Sequence, residues 1–391
     1  MTGVRQSIVF RIETDFAEDP YTKSATSNGE IQSDGKKWME VPPGTYFQNT
    51  HTRSTNKIYG MGSKFYEMPE YGALSGSWEW TFPLSYEYLE PLLLAFEDYS
   101  PPSEGSDYHV FRKANAKRVK SFAVRRKILN RIAGGPDKSD EVDYIMGCVV
   151  KSIRISRSAG SSKANVTMSG IYSKDRLVKG NLTSTDYTTR TANLVEYGCL
   201  IYDNMPSNDT TSKPAIVDCV DSITLAVDNG VSAISSTCTP FAVGYYEGKS
   251  SCSFGITAYA NDPARIKQRA YSGGYLSKDK LPTAPMTRTM KPLPVATVFS
   301  FNMDRDTFTS SDDIGFTAVD AKMDPIDRFR NSEYSAMFII KDTIVKSISW
   351  QKGDGGRLMD QISSAECKDI TLMFKNDITS SYDQSPHQID G

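Results

Sequence analysis

Apolar side chains recur at every second position along much of this chain, and the segments that carry the pattern come twice in one order. "SIVFRIE" (7–13) sets Ile8, Phe10 and Ile12 against polar partners, as a strand with one face on a core requires. "SITLAVD" (222–228) repeats this with Ile223, Leu225 and Val227. "GSWEWTFPL" (76–84) alternates Trp78, Trp80 and Phe82, and "SCSFGITAYA" (251–260) alternates Phe254, Ile256 and Ala258. A short helix is predicted after each, over "EPLLLAFE" (90–97) and "NDPARIKQRA" (261–270). Pro91 and Pro263 suit the first helical position, where a missing N–H would be unpaired anyway. Strands follow at 119–129 and 294–303, without clean alternation. Two long hairpins end the series. One runs over 143–156 and 163–173 and turns at "AGSS"; the other runs over 335–350 and 357–374 and turns at "GDGG".

Both hairpins contain Val-Lys-Ser-Ile, starting at Val150 and Val345, 195 residues apart. A shared tetrapeptide is weak evidence in a chain of 391 residues; the repeated order of elements is stronger. The expected organisation is a first unit over 1–175, a linker over 176–216 and a second unit over 217–391. The linker is rich in Ser, Thr, Asn and Asp, with one strand at 196–202. The polar region 14–75 reads as a long loop or an extended hairpin with no equal in the second half. The competing reading is one large β-rich domain, because alternating hairpins resemble one another by necessity.

Composition narrows the function. The net charge of −2 does not suit a surface that binds nucleic acid as a whole. The apolar run "LLLAF" (92–96) is far too short to span a bilayer, and the first sixteen residues are too polar for a signal peptide. The six cysteines form no Cys-x-x-Cys pair and read as reduced, mostly buried thiols. Of three histidines, His51 and His109 fall in loop-like stretches and His387 in the tail. There is no metal-ligand spacing, no nucleophile elbow and no complete phosphate loop; "GMGSKF" (60–65) reads as a turn. The expectation is a protein that is not an enzyme and needs no cofactor. Residues 112–131 carry nine Lys and Arg and no acid, while 87–107 carry six acids. Opposite runs this close favour pairing within or between subunits over contact with phosphate. The Trp78/Trp80/Phe82 strip reads as core or interface rather than a ligand platform.

The stretch "GALSGSWEWTFPLSYEYLEPLLLAFEDYS", a basic strand, and then "DYIMGCVVKSIRISRSAGSSKANVTMSGIYS" resemble the major tail tube proteins of long, flexible-tailed (siphovirus-type) bacteriophages. "DCVDSITLAVDNGVSAI" and "GKSSCSFGITAYANDPARI" are similar to segments of the same family. The resemblance implies mainly-β, sandwich-like units whose strands join side by side around a ring. It implies that rings stack and that the sheet lines a channel for DNA. Some members form hexamers with one unit per chain, and others fuse two units and form trimers. The partners implied are further copies of the chain, the tape-measure protein, tail terminator and tip proteins, and double-stranded DNA in transit without sequence specificity. No membrane anchor is implied. The expected location is the virion tail, after synthesis in the host cytoplasm. Exposed hairpin edges invite another chain, and edge-to-edge contact closes a ring. The subunit-contact candidates are Arg118, Lys120, Arg125, Arg126, Lys127, Val150, Ile153, Val345 and Ile348. Region 40–75 is expected to reach the next ring. Other tail parts (sheath or baseplate), a carbohydrate-binding sandwich using the Trp strip, and a hydrolase with dispersed acids are the rival readings.

Overall fold

The computed structural model describes residues 6–18, 38–59, 66–103, 107–113, 118–128, 141–158, 161, 163–179, 195, 200–206, 215–217, 220–259, 295–302, 329, 334–341, 344–352 and 358–376. The chain is mainly β. In order the first strands are β1 (Gln6–Ile12), β2 (Met39–Glu40), β3 (Tyr46–Tyr59) and β4 (Tyr66–Pro83). A 3-10 helix (Glu90–Leu94) precedes β5 (Asp98–Ser100), β6 (Tyr108–Arg112), β7 (Ser121–Ile128), β8 (Glu141–Ser158), β9 (Asn165–Tyr172) and β10 (Lys174–Lys179). Then come β11 (Leu200–Pro206), β12 (Ala215–Val217), β13 (Val220–Asp228), β14 (Val231–Ser236), β15 (Thr239–Glu247) and β16 (Ser251–Tyr259). The last are β17 (Val295–Asn302), β18 (Ser335–Lys341), β19 (Ile344–Lys352), β20 (Leu358–Cys367) and β21 (Asp369–Lys375).

One pairing scheme occurs twice. In the first copy β2 pairs β1, β1 pairs β7, and β7 pairs the N-terminal half of β8, which also pairs β10. The C-terminal half of β8 pairs β9, β9 pairs β4, and β4 pairs β3. In the second copy β12, β11, β17, β18 and β21 are joined in the first series, and β19, β20, β16 and β13 in the second. The hairpin foreseen over 335–374 is therefore shared between two sheets. Lys341 opposes Asp369 in β18–β21, and Ile344 opposes Glu366 in β19–β20, so one register continues from sheet to sheet.

The Val-Lys-Ser-Ile tetrapeptide marks the same irregularity in both copies. Val150 opposes Gly170 and Ser152 opposes Ser169, leaving Lys151 as a bulge. Val345 opposes Ala365 and Ser347 opposes Ser364, leaving Lys346 as a bulge. This fixes the equivalences: Trp78 opposite Gly170 corresponds to Phe254 opposite Ala365. It also corrects the strand matching. "SITLAVD" (β13) holds the place of β3, not of β1, and β11 holds the place of β1. The stretch read as a linker thus supplies β10, β11 and β12. Region 14–75 does contain the extended hairpin, with β3 paired along β4. Its outer part has a counterpart after all, since β14–β15 lies between β13 and β16 as the outer β3–β4 hairpin lies between their equivalents. The predicted helix at 90–97 is a single 3-10 stretch with its proline at the start, and 261–270 lies outside the described residues.

The core lies between the two sheet layers. Phe10 of β1 meets Trp80 edge-on at 5.4 Å between ring centroids, and Phe122 of β7 meets Trp78 at 5.3 Å. Phe47 stacks on Trp78 at 5.9 Å. Leu92, Leu93 and Leu94 of the 3-10 helix are buried in the same cluster, beside Phe338 and Phe374 of the second copy. All five residues of this 3-10 piece are buried, so it is enclosed on every side and does not lie on a surface with one face to water.

Two local features hold this arrangement. The Trp78 indole lies over Gly170, where an added Cβ would fall 2.7 Å from the ring and 1.9 Å from the Val149 carbonyl oxygen. The indole N–H donates to the Ile171 carbonyl at 2.8 Å. The second feature is the bend in β8 at Gly147, whose φ of +67° favours glycine. The Gly147 N–H donates to Glu13 Oε1 at 2.9 Å, and the Ala17 N–H donates to Glu13 Oε2 at 3.1 Å. Burial raises the Glu13 pKa from 4.5 to about 7 despite these bonds.

Two outcomes follow. Gly170→Ala, which leaves no room for its methyl against backbone, lowers unfolding stability by about 3 kcal/mol, measured by chemical denaturation. For Glu13, the native state retains between pH 4.5 and about 7 a proton that the unfolded chain has released. Stability is therefore highest below that window, falls as pH rises through it, and levels off above about 7. The Glu13 share of that fall is roughly 3 kcal/mol. Urea unfolding of Glu13→Gln between pH 5 and 7.5 shows a correspondingly flatter dependence than the parent chain.

Candidate subunit-contact edges

Among the described residues, the side chains of the basic run go to different partners. Lys113 pairs with Glu97 at 2.5 Å and also donates to Asn229 Oδ1 at 2.6 Å, both out of solvent. Arg112 lies 3.8 Å from Asp98 at the surface. These are pairs within the chain, between the two runs whose opposite charges stood out in the sequence. Arg126 instead pairs with Asp143, its direct cross-strand partner on β8, at 2.6 Å. It also donates to the Phe47 carbonyl at 3.2 Å and to Asn49 Oδ1 at 3.0 Å, which ties β7 to β3. The signal for this pair was the β7–β8 register, not closeness in sequence. Arg125 stacks over Trp38 at 4.8 Å. Arg118 is exposed, Lys120 is half-buried, and Lys127 sits in the β1–β7–β8 ladder opposite Ser7 and Val142.

The remaining candidates fall into two groups. Val150 and Ile153 are buried, with β8 flanked there by β9 and β13, so their side chains belong to the chain's own core. Val345 and Ile348 lie on β19, opposite Ala365 and Ile362 of β20. Trp78, Trp80 and Phe82 are all buried, so the strip is core and offers no face to a sugar. His51 is in β3 rather than a loop, with its Nε2 2.9 Å from Asp175 Oδ1. His109 is in β6, buried between the Tyr99 hydroxyl at 2.8 Å and Asn376 Oδ1 at 3.1 Å. Cys148, Cys238, Cys252 and Cys367 are free thiols, and Cys252 and Cys367 face each other across β16–β20.

Sequence reasoning missed how the two copies are joined. Strand β13 of the second copy pairs along the C-terminal half of β8 of the first, with Ser222 opposite Ser158 through Asp228 opposite Ser152. The Asn229 N–H then donates to the carbonyl of the bulged Lys151 at 2.7 Å, and its side chain donates to Val150 and Ala95 carbonyls. Strand β6 of the first copy crosses over and pairs β21 of the second. Hairpin β14–β15 lies back on the first copy, where the Tyr245 hydroxyl donates to the Val119 carbonyl at 2.6 Å and the Val119 N–H donates to Glu247 at 2.9 Å.

Among the described residues, and outside the β14–β15 hairpin, six strands have a partner on one side only: the short β2, β5 and β12, and the longer β3, which pairs β4, β19, which pairs β20, and β10, which pairs β8. On β10, Leu177 is 56% exposed, whereas Leu372, its counterpart on β21, is fully buried beside Phe111 of β6. Ile234, Val243 and Tyr246 of the β14–β15 hairpin are also exposed. Unsatisfied strand backbone beside exposed apolar side chains is a template for another chain.

Because Arg126 is enclosed, its charge reversal acts on folding before it acts on assembly. Burial outweighs the Arg126 attraction and raises the Asp143 pKa, so an unpaired Asp143 would be costly. Arg126→Glu lowers unfolding stability by about 3 kcal/mol, whereas Arg112→Glu, at the exposed pair, changes it by less than about 1 kcal/mol in the same denaturation assay.

Comparison with known proteins places these edges in context. A family model described as Phage tail tube protein matches residues 3–318, most of the chain. No curated protein matches the sequence. With a match this extensive over a mainly-β chain, the protein belongs to the phage tail tube protein family.

Proposed function

We propose that this chain is a tail tube subunit that polymerises into stacked rings, whose sheets surround a channel for phage DNA on ejection. The observation that carries the reading is the presence, among the described residues, of one-sided strands at both ends of the series β3–β4–β9–β8–β13–β16–β20–β19, β3 on the first copy and β19 on the second. A chain with complementary open edges at its two ends makes head-to-tail contacts, and these close into a ring when the rotation divides a full turn. The subunit comprises two tube-like units in tandem, the second beginning at β11. Two units per chain favour trimeric rings with six units; a hexameric ring of twelve is the alternative. The near-neutral chain, with a net charge of −2, suits a conduit that must not hold phosphates.

Ring stacking uses the hairpins that leave the sheets, β14–β15 and the outer part of β3–β4. The exposed Ile234, Val243 and Tyr246 of the first of these are the apolar contacts. Arg118 and Lys120, at the entry to β7, Arg125 and Lys127, on β7, and Val345 and Ile348, on β19, are the subunit-contact residues. The other partners are the tape-measure protein, the tail terminator and tip proteins, and DNA in transit. The tail belongs to a siphovirus-type virion, assembled in the host cytoplasm. A sheath or baseplate role has less support, since the matching family is described as a tube protein. A carbohydrate-binding role lacks its aromatic face, because the Trp strip is buried.

Negative-stain microscopy of the concentrated protein tests this reading. Hollow rods with a regular axial stripe are expected. Dispersed particles under all conditions of salt and concentration would contradict it.

A further inference from the structure

The contact between the two copies inside one chain provides a template for the contact between chains. In the chain, β13 pairs the C-terminal half of β8, and the Lys151 bulge receives the N–H of the residue that follows β13. The equivalent of β13 is β3, and the equivalent of that half of β8 is β19, which carries the same bulge at Lys346. Among the described residues, those two strands end the series β3–β4–β9–β8–β13–β16–β20–β19, each with a partner on one side only. We infer that β3 of one copy pairs antiparallel with β19 of a second copy, in the register that β13 and β8 already use. This rests on the tube reading above and adds to it a partner strand and a register.

The equivalences fix that register without a free parameter. Trp80 opposite Met168 corresponds to Ile256 opposite Ile362, so Phe47, opposite Trp80, corresponds to Ile223, opposite Ile256. Val150 corresponds to Val345 and Ser152 to Ser347. Ile223 opposite Arg157 therefore becomes Phe47 opposite Lys352, and Asp228 opposite Ser152 becomes Thr52 opposite Ser347. Between them, Thr50 lies opposite Ser349. The repeated tetrapeptide then has a physical purpose: each copy sets a bulge that receives the start of the next unit's outer hairpin. A bulge pins register, because sliding by one residue would place the extra residue against a regular ladder and turn every side chain to the wrong face. The contrast on β10 agrees. Leu177 is 56% exposed where Leu372 is buried by a strand from the other unit, so the outer flank of the first unit is unfinished in a single chain. The occupant is a second copy of this chain because the surface it must match is one that this chain already builds against itself.

The test uses full-length chains in a Cys238→Ser background, which removes the one thiol that is exposed among the described residues. One copy carries Thr50→Cys and the other Ser349→Cys. They are mixed, polymerised and oxidised, with the unengineered background as control. A disulfide-linked dimer is expected from this pair, at least tenfold more abundant than from Thr50→Cys mixed with Gln351→Cys, which is two residues out of register. In the unaltered protein, amide exchange over 46–52 and 344–352 is expected to slow by at least about tenfold on polymerisation. If rods form but the out-of-register pair links preferentially, or neither segment gains protection, the inferred contact is wrong while the tube reading stands. If no rods form and no protection appears at any concentration, the tube reading fails and this inference with it.

Discussion

An unpaired strand edge is the constraint on which this structure turns. Backbone N–H and C=O groups along a sheet margin need partners or water, and a long flat margin recruits whatever strand fits it. Between the two copies this need is met where β13 lies against β8 and where β6 lies against β21. The first contact joins two halves that share one pairing scheme, and it is supported by Asn229, which bridges the Lys151 bulge, Val150 and Ala95. The crossing of β6 onto β21 and the folding back of β14–β15 make the join threefold, so the two copies are tightly built together. Among the described residues the same needs remain at several edges, β3, β10 and β19 being the longer ones.

The core is arranged to keep those edges in place. Strand β8 serves both layers of the first unit, and its bend at Gly147 is held by a buried carboxyl group, that of Glu13. The second unit achieves the same bend by passing one hairpin, β18–β19 with β20–β21, from one sheet to the other. Trp78 opposite Gly170 in one unit corresponds to Phe254 opposite Ala365 in the other, so the same ladder positions carry different residues.

Much of this was legible in the sequence. Period-two alternation found β1, β4, β9, β13 and β16, and Pro91 placed the 3-10 helix, because these signals are local. The repeated order of elements pointed to a scheme written twice. What was illegible depended on partners distant in sequence. Strand β11, "LIYDNMP", mixes apolar and polar residues without a clean period, so the sequence shows only its start, in the strand expected at 196–202, and not its place beside β17. Strand β13 alternates like β1, but its place is that of β3, and only pairing partners distinguish the two. Arg126 was assigned to the nearby acidic run, whereas the β7–β8 register places it opposite Asp143. The two Val-Lys-Ser-Ile stretches were recognised, yet their bulges show only against β9 and β20. The burial of Trp78, Trp80 and Phe82 agrees with the core reading, since alternating aromatics on a half-buried strand seek the inner face.

A reconstruction of the assembled polymer, at a resolution that separates strands, addresses the central claim most directly. The account predicts a continuous sheet around the ring in which β8–β13 contacts within chains alternate with β19–β3 contacts between chains, in matching registers. A polymer in which β3 and β19 remain open to solvent, with neighbours joined through other surfaces, would contradict it.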